Sequence, residues 1–172
     1  MSLSRKLIIH VLFVLMLFVG VSPAAAASGN THDVTRSTAG FFIDANQCPL
    51  LPAGLSVTGS GERLTITNTH TNADGTIEVR TNDLVTGTAT DSNLDVHKFV
   101  YHNSSTLTIP TSGEYAISMN DSFELTGPGP HYSVGFNWRW TFDPVTDPLF
   151  PPTNNFEQLH GDLATILKCD PL

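Results

Sequence analysis

The 172-residue chain is sparing with charge: 14% of its residues are Asp, Glu, Lys or Arg, and eight basic residues stand against sixteen acidic ones. The resulting net charge of −8 argues against nucleic acid or an anionic membrane as partner. Cysteine is almost absent, Cys48 and Cys169 being the whole complement, so a single disulfide is the most the chain can form. Gly-x-Ser-x-Gly, the phosphate loop, the dinucleotide fingerprint, His-x-His and His-Glu-x-x-His are all missing. No local signature therefore marks a hydrolase, a nucleotide enzyme or a zinc site, although a site assembled from distant residues needs no such motif.

What is present begins with Arg5 and Lys6, an apolar run from Leu7 to Val21, and the small-residue exit Ala25-x-Ala27. This is the pattern of a secretory signal peptide over residues 1–27. The run of about 15 residues is short of the about 20 that a bilayer span requires, so cleavage is expected rather than anchorage. No second run of that length follows, and no membrane span is expected afterwards. Cleavage leaves about 145 residues, the size of one ordinary domain. Subtracting Arg5 and Lys6 takes the net charge from −8 to about −10. Residues 28–36 are polar and read as a flexible N-terminal segment, followed by a single all-β domain over 37–172.

Export decides the cysteines, because an exported chain with two of them ordinarily pairs them. A Cys48–Cys169 disulfide would tie the first strand region to the C-terminal tail.

The clearest periodicity runs from His131 to Phe142. Tyr132, Val134, Phe136, Trp138, Trp140 and Phe142 share one parity, and polar residues hold the other. A period of two over that length is a strand with one aromatic face to bury. Tyr115, Ile117, Met119, Phe123 and Leu125 alternate in the same way. If Gly127-Pro128-Gly129-Pro130 closes a hairpin, Leu125 faces Tyr132, Phe123 Val134, Met119 Trp138, Ile117 Trp140 and Tyr115 Phe142, apolar against apolar throughout. Earlier strands are expected at Ala39–Ile43, Leu55–Thr58, Leu64–Thr69, Thr76–Arg80, Leu84–Thr90, Val96–His102 and Thr106–Ile109. Turns or bulges are expected at Gly59-Ser60-Gly61, Asn82-Asp83 and Asn103-Ser104. The tail from Phe156 to Leu167 fits a short helix or an irregular strap held by Cys169. The fold class that follows is an all-β antiparallel β-sandwich of about seven to nine strands with a disulfide-tied C-terminal strap, an up-and-down β-barrel being the alternative.

Asp121 breaks the inward face of the hairpin, falling opposite Phe136. Held there, it could act as a general acid or hold a ligand; a bulge at Asn120-Asp121-Ser122 would instead turn it to water. The polar face of the same hairpin carries His131, Asn137 and Arg139, a set able to orient a carboxylate or a sugar. An ordinary solvated sheet face has the same composition. Asp91-x-Asn93-x-Asp95 has the one, three, five spacing of calcium ligands. It then departs from that pattern, with Val96 in the place of the turn glycine and His102 in the place of the bidentate Glu, and a plain turn accounts for the same residues. No cofactor is therefore expected, calcium at this loop being the alternative.

With Thr67-Asn68-Thr69, the turn Asp74-Gly75-Thr76 and the closing Cys169-Asp170-Pro171-Leu172, the chain resembles small secreted bacterial all-β proteins of unassigned function. The resemblance implies secretion and the terminal disulfide, and carries over no catalytic residue. The expected function is non-catalytic binding of a small ligand, a glycan or a protein at or outside the cell surface. Two other readings stand beside it: an extracellular hydrolase with its site near Asp121, and a purely structural surface module.

Overall fold

The computed structural model describes residues 29–128, 131–143, 145, 156–161, 165, 168–169 and 171–172. The signal peptide expected over residues 1–27 lies outside them, as do Pro144, Pro148, Pro151 and Pro152. Among the described residues seven strands form one antiparallel sheet: β1 (Thr31–Asp44), β2 (Ser56–Thr71), β3 (Ile77–Asp91), β4 (Val96–Ile109), β5 (Tyr115–Thr126), β6 (Tyr132–Phe142) and β7 (Phe156–His160). Each strand pairs with its successor in the chain. β1 and β7 stand at opposite edges, so the sheet is not closed.

The hairpin of β5 and β6 has the expected register: Leu125 faces Tyr132, Phe123 Val134, Met119 Trp138, Ile117 Trp140 and Tyr115 Phe142. Elsewhere the strands are longer than expected. β2 runs through Gly59-Ser60-Gly61, β3 through Asn82-Asp83 and β4 through Asn103-Ser104, all without a register shift. The turn chemistry of these residues is real, but their backbone groups are already paired on both sides, and the ladder outweighs local preference. Two further expectations are corrected. Residues 31–36, expected to be loose, form the first part of β1 and pair with β2 from Thr31↔Thr69 to Arg36↔Leu64. Neither face of this part of β1 is covered, and apart from Val34 its side chains are polar. The start of the expected helix or strap is strand β7, set against β6 by a register that pairs Trp140 with Phe156 and Arg139 with Glu157.

The glycines misread as a turn have a different use. A Cβ on Gly59 would fall 2.3 Å from the Phe41 ring, one on Gly61 would fall 2.2 Å from the Thr86 carbonyl oxygen, and one on Gly87 would fall 2.2 Å from the Ser60 carbonyl oxygen. Bare backbone at these paired positions lets β2 and β3 approach closely and bend, and Phe41 takes the space that a side chain at Gly59 would fill. The result is a curl. Phe41 on β1 meets Phe99 on β4 and Phe123 on β5 edge to face, at ring-centroid distances of 4.9 and 5.2 Å.

The odd-numbered residues of β1 to β5 and the even-numbered residues of β6 face inward. The main core gathers Phe41, Ile43, Val57, Val85, Phe99 and Phe123 with Leu125, Tyr132 and the two cysteines. A second cluster of Phe136, Trp138 and Trp140 packs with Ile117, Met119 and Phe142, the two indoles stacked 3.9 Å apart. Cys48, just beyond β1, is bonded to Cys169, beyond β7. The disulfide therefore ties together the two ends of an open sheet, and Tyr132 Oη fastens it by donating to the Cys169 carbonyl oxygen at 2.6 Å.

Candidate functional site

The inward face is polar over two adjacent rows, Asp33, Thr67, Thr81 and Ser105 forming one and the residues in register with Asp121 the other. The registers of five strand pairs align Thr35, Thr65, Asp83, Asn103 and Asp121 across the sheet, ending on Phe136. Asp121 stays in register on the inward face, with no bulge to swing it outward, and is partly buried. Its Oδ2 accepts from Asn103 Nδ2 at 3.0 Å and from Tyr101 Oη at 3.3 Å, while Asp83 accepts from Thr65 Oγ1. The row lies between the two apolar clusters. Sequence reading took Asn82-Asp83, Asn103-Ser104 and Asn120-Asp121 as separate interruptions, whereas they are neighbours on adjacent strands.

The opposite face carries two polar rows beside exposed apolar side chains, Val34, Phe42, Leu84 and Val100 among them. One row runs Asn82, Ser104, Asn120, Asn137 and another Asn68, Arg80, Thr106, Ser118, Arg139. All of these side chains are partly or fully exposed, and Ser104 Oγ donates to Asn82 Oδ1 at 2.9 Å. Asn137 and Arg139 therefore share a surface. Asp121 is on the other side of the sheet from them. His131 lies at the far end of β6, roughly 25 Å along the strand from Arg139 at about 3.3 Å per residue, and its Nε2 meets Glu124 Oε1 at 2.7 Å. The structure thus brings together two of the four residues expected to bind a ligand.

Sequence reasoning missed a groove at the end of β1, β2 and β3. The tripeptide Asn-Thr-His occurs twice, as Asn30-Thr31-His32 and Asn68-Thr69-His70. The antiparallel register lays one against the other, Thr31 opposite Thr69 and His32 opposite Asn68. His32 Nδ1 contacts Asn68 Oδ1 at 2.7 Å, and His70 Nδ1 contacts Asn30 Oδ1. The two bonds are reciprocal, each strand giving one imidazole and one amide. Together with Glu78 and Arg80 of β3, the two tripeptides line an open groove of about 350 Å³. Glu78 Oε1 accepts from Arg80 Nε at 2.7 Å. The repeated tripeptide was the available signal.

The Asp91 loop is filled by its own hydrogen bonds. Asp91 Oδ1 accepts from the backbone N–H groups of Asn93 at 2.8 Å and Asp95 at 3.0 Å, and Oδ2 lies 3.1 Å from His97 Nε2. Asp91 and His97 are both buried. No group of three or more His, Cys, Asp or Glu able to hold a metal ion occurs among the described residues. Burial acts to raise the Asp91 carboxyl, but the His97 ring and the two backbone donors outweigh it and hold the group below its ordinary value. A depressed folded pKa contributes stability that is present above the unfolded value and is lost as pH falls through the folded one. The urea midpoint of the protein is accordingly expected to drop below about pH 4, and Asp91→Asn to flatten that drop while lowering stability at neutral pH. An acid limb equally steep in Asp91→Asn would assign it to other carboxylates.

These features define an all-β antiparallel meander, tied at its open ends by a disulfide and carrying one extended polar face. No protein family matches the chain, and neither a curated protein nor a solved structure does.

Proposed function

We propose that the chain is an exported, non-catalytic binding domain that takes a polar ligand, a glycan in particular, on the outward face of its sheet. The observation that carries this reading is the pair of rows from Asn68 and Asn82 to Arg139 and Asn137, which offer amides, hydroxyls and guanidinium groups at strand spacing over five strands. A saccharide presents hydroxyls on a similar scale, and planar amides match them as both donors and acceptors. Export is supported by the Cys48–Cys169 bond, which persists in an oxidising compartment. For the fold we favour an up-and-down barrel left open between β1 and β7 over a two-sheet sandwich, because a single meander carries every strand and Phe41 reaches across to Phe99 and Phe123.

The test is a backbone amide NMR titration of the mature protein with neutral and acidic oligosaccharides. Shifts are expected on Asn82, Asn120, Asn137 and Arg139, with affinity falling about tenfold in Asn137→Ala/Arg139→Ala as two polar contacts are lost. Shifts centred on Asp83, Asn103 and Asp121, or release of a shortened sugar, would replace this reading with the hydrolase. No shift on either face would leave the structural module.

A further inference from the structure

We infer that the paired Asn-Thr-His tripeptides form a pH-gated site for carboxylate-bearing saccharides, an inference that rests on the glycan-binding reading above and assigns part of that face a ligand class. Asn Oδ1 can only accept, so each Nδ1 must carry the proton of its bond, His32 to Asn68 and His70 to Asn30. In the neutral ring this fixes the tautomer, and Nε2 of both imidazoles is an acceptor. Protonation leaves the amide bonds intact and converts both Nε2 atoms into charged donors. The ring orientations need not change, so the switch costs no rearrangement.

The surroundings favour an anion over a cation. The charged groups near the pair are Glu78 and Arg80 on β3 and Arg36 four residues along the same face of β1; Asp33 belongs to the opposite face. Arg80 Nη2 lies 2.5 Å from Glu78 Oε1, so these two offset each other. The charge of the groove is then set by the imidazoles together with the α-amino group that cleavage leaves at Ser28, two residues before Asn30, and protonation of both rings adds two positive charges to a groove on an otherwise acidic protein. Both histidines are exposed, so neither needs desolvating before it meets a ligand. A carboxylate would accept from the two Nε2–H groups while the sugar hydroxyls meet the amide rows alongside.

The experiment is calorimetric titration of the mature protein with an oligogalacturonate and with a neutral oligogalactoside of equal length, at about pH 5.5 and pH 7.5, where histidine changes charge. The uronate carboxylates stay ionised at both. Uronate affinity is expected to rise at least about tenfold on acidification, through two new charge-assisted hydrogen bonds. The neutral sugar should show no such rise. His32→Gln/His70→Gln, at exposed positions that leave the core untouched, should abolish the gain, and each single variant should keep part of it. A gain that survives in the double variant, or uronate binding indifferent to pH while the neutral sugar still binds, overturns the gated site and leaves the glycan-binding domain standing. Failure of both sugars to bind at either pH overturns both readings.

Discussion

Replacing Cys48 and Cys169 by serine is expected to lower the unfolding free energy by about 5 kcal/mol, since the bond closes a loop with a sequence separation of 121 residues. A domain of this size has about 5–15 kcal/mol in total, so the serine variant would lose a third or more of its stability and, at the lower limit of that range, would lie at its unfolding midpoint without denaturant. The topology adds a second reason to expect a large effect. β1 and β7 are not paired in the sheet, and the disulfide is the covalent link between its two ends. Tyr132→Phe, which removes the hydroxyl that donates to the Cys169 carbonyl oxygen and lies 3.2 Å from Cys48 Sγ, should cost about 1 kcal/mol. Urea titration followed by tryptophan fluorescence measures all three proteins. A loss below about 1 kcal/mol in the serine variant would mean that the core alone holds the ends together.

Phe123→Ala is expected to cost about 3–5 kcal/mol, the range for truncating a fully buried aromatic ring. The ring meets Phe41, Phe99 and Tyr132 at centroid distances of 5.2, 6.0 and 6.0 Å, so three elements lose a neighbour at once. The contact with Phe41 is the informative one, because β1 and β5 are separated by three strands in the sheet and touch only through its curl. A double-mutant cycle of Phe41→Ala and Phe123→Ala should therefore give a coupling of about 1 kcal/mol. Additivity within about 0.3 kcal/mol would mean that the rings do not meet in solution.

The register of β5 and β6 was legible because a short loop and two long alternating runs leave one pairing that puts apolar opposite apolar. The same rule placed Asp121 opposite Phe136. It failed at Asn82-Asp83 and Asn103-Ser104, where asparagine and aspartate signal a turn by local chemistry that the strand ladder overrides. What the local reading lacked was the neighbour. An inward Asp83 looks like an interruption on β3 alone and like part of a polar row beside Thr65 and Asn103. The groove was hidden for the same reason, since neither Asn30-Thr31-His32 nor Asn68-Thr69-His70 resembles a site until one lies antiparallel to the other.

By itself the sequence determined the all-β class, the buried parity of the aromatic strand, the closing hairpin and the single disulfide the chain could form. Each follows from alternation or composition, which depend on residues close in the chain or on their number alone. Tertiary structure decided that seven strands share one open sheet, that glycines on β2 and β3 curl it until Phe41 reaches Phe99 and Phe123, and that two distant tripeptides meet as a reciprocal histidine–asparagine pair. Alternation specifies which way a side chain faces, but cross-strand register specifies what stands beside it, and register is settled only when the whole sheet assembles.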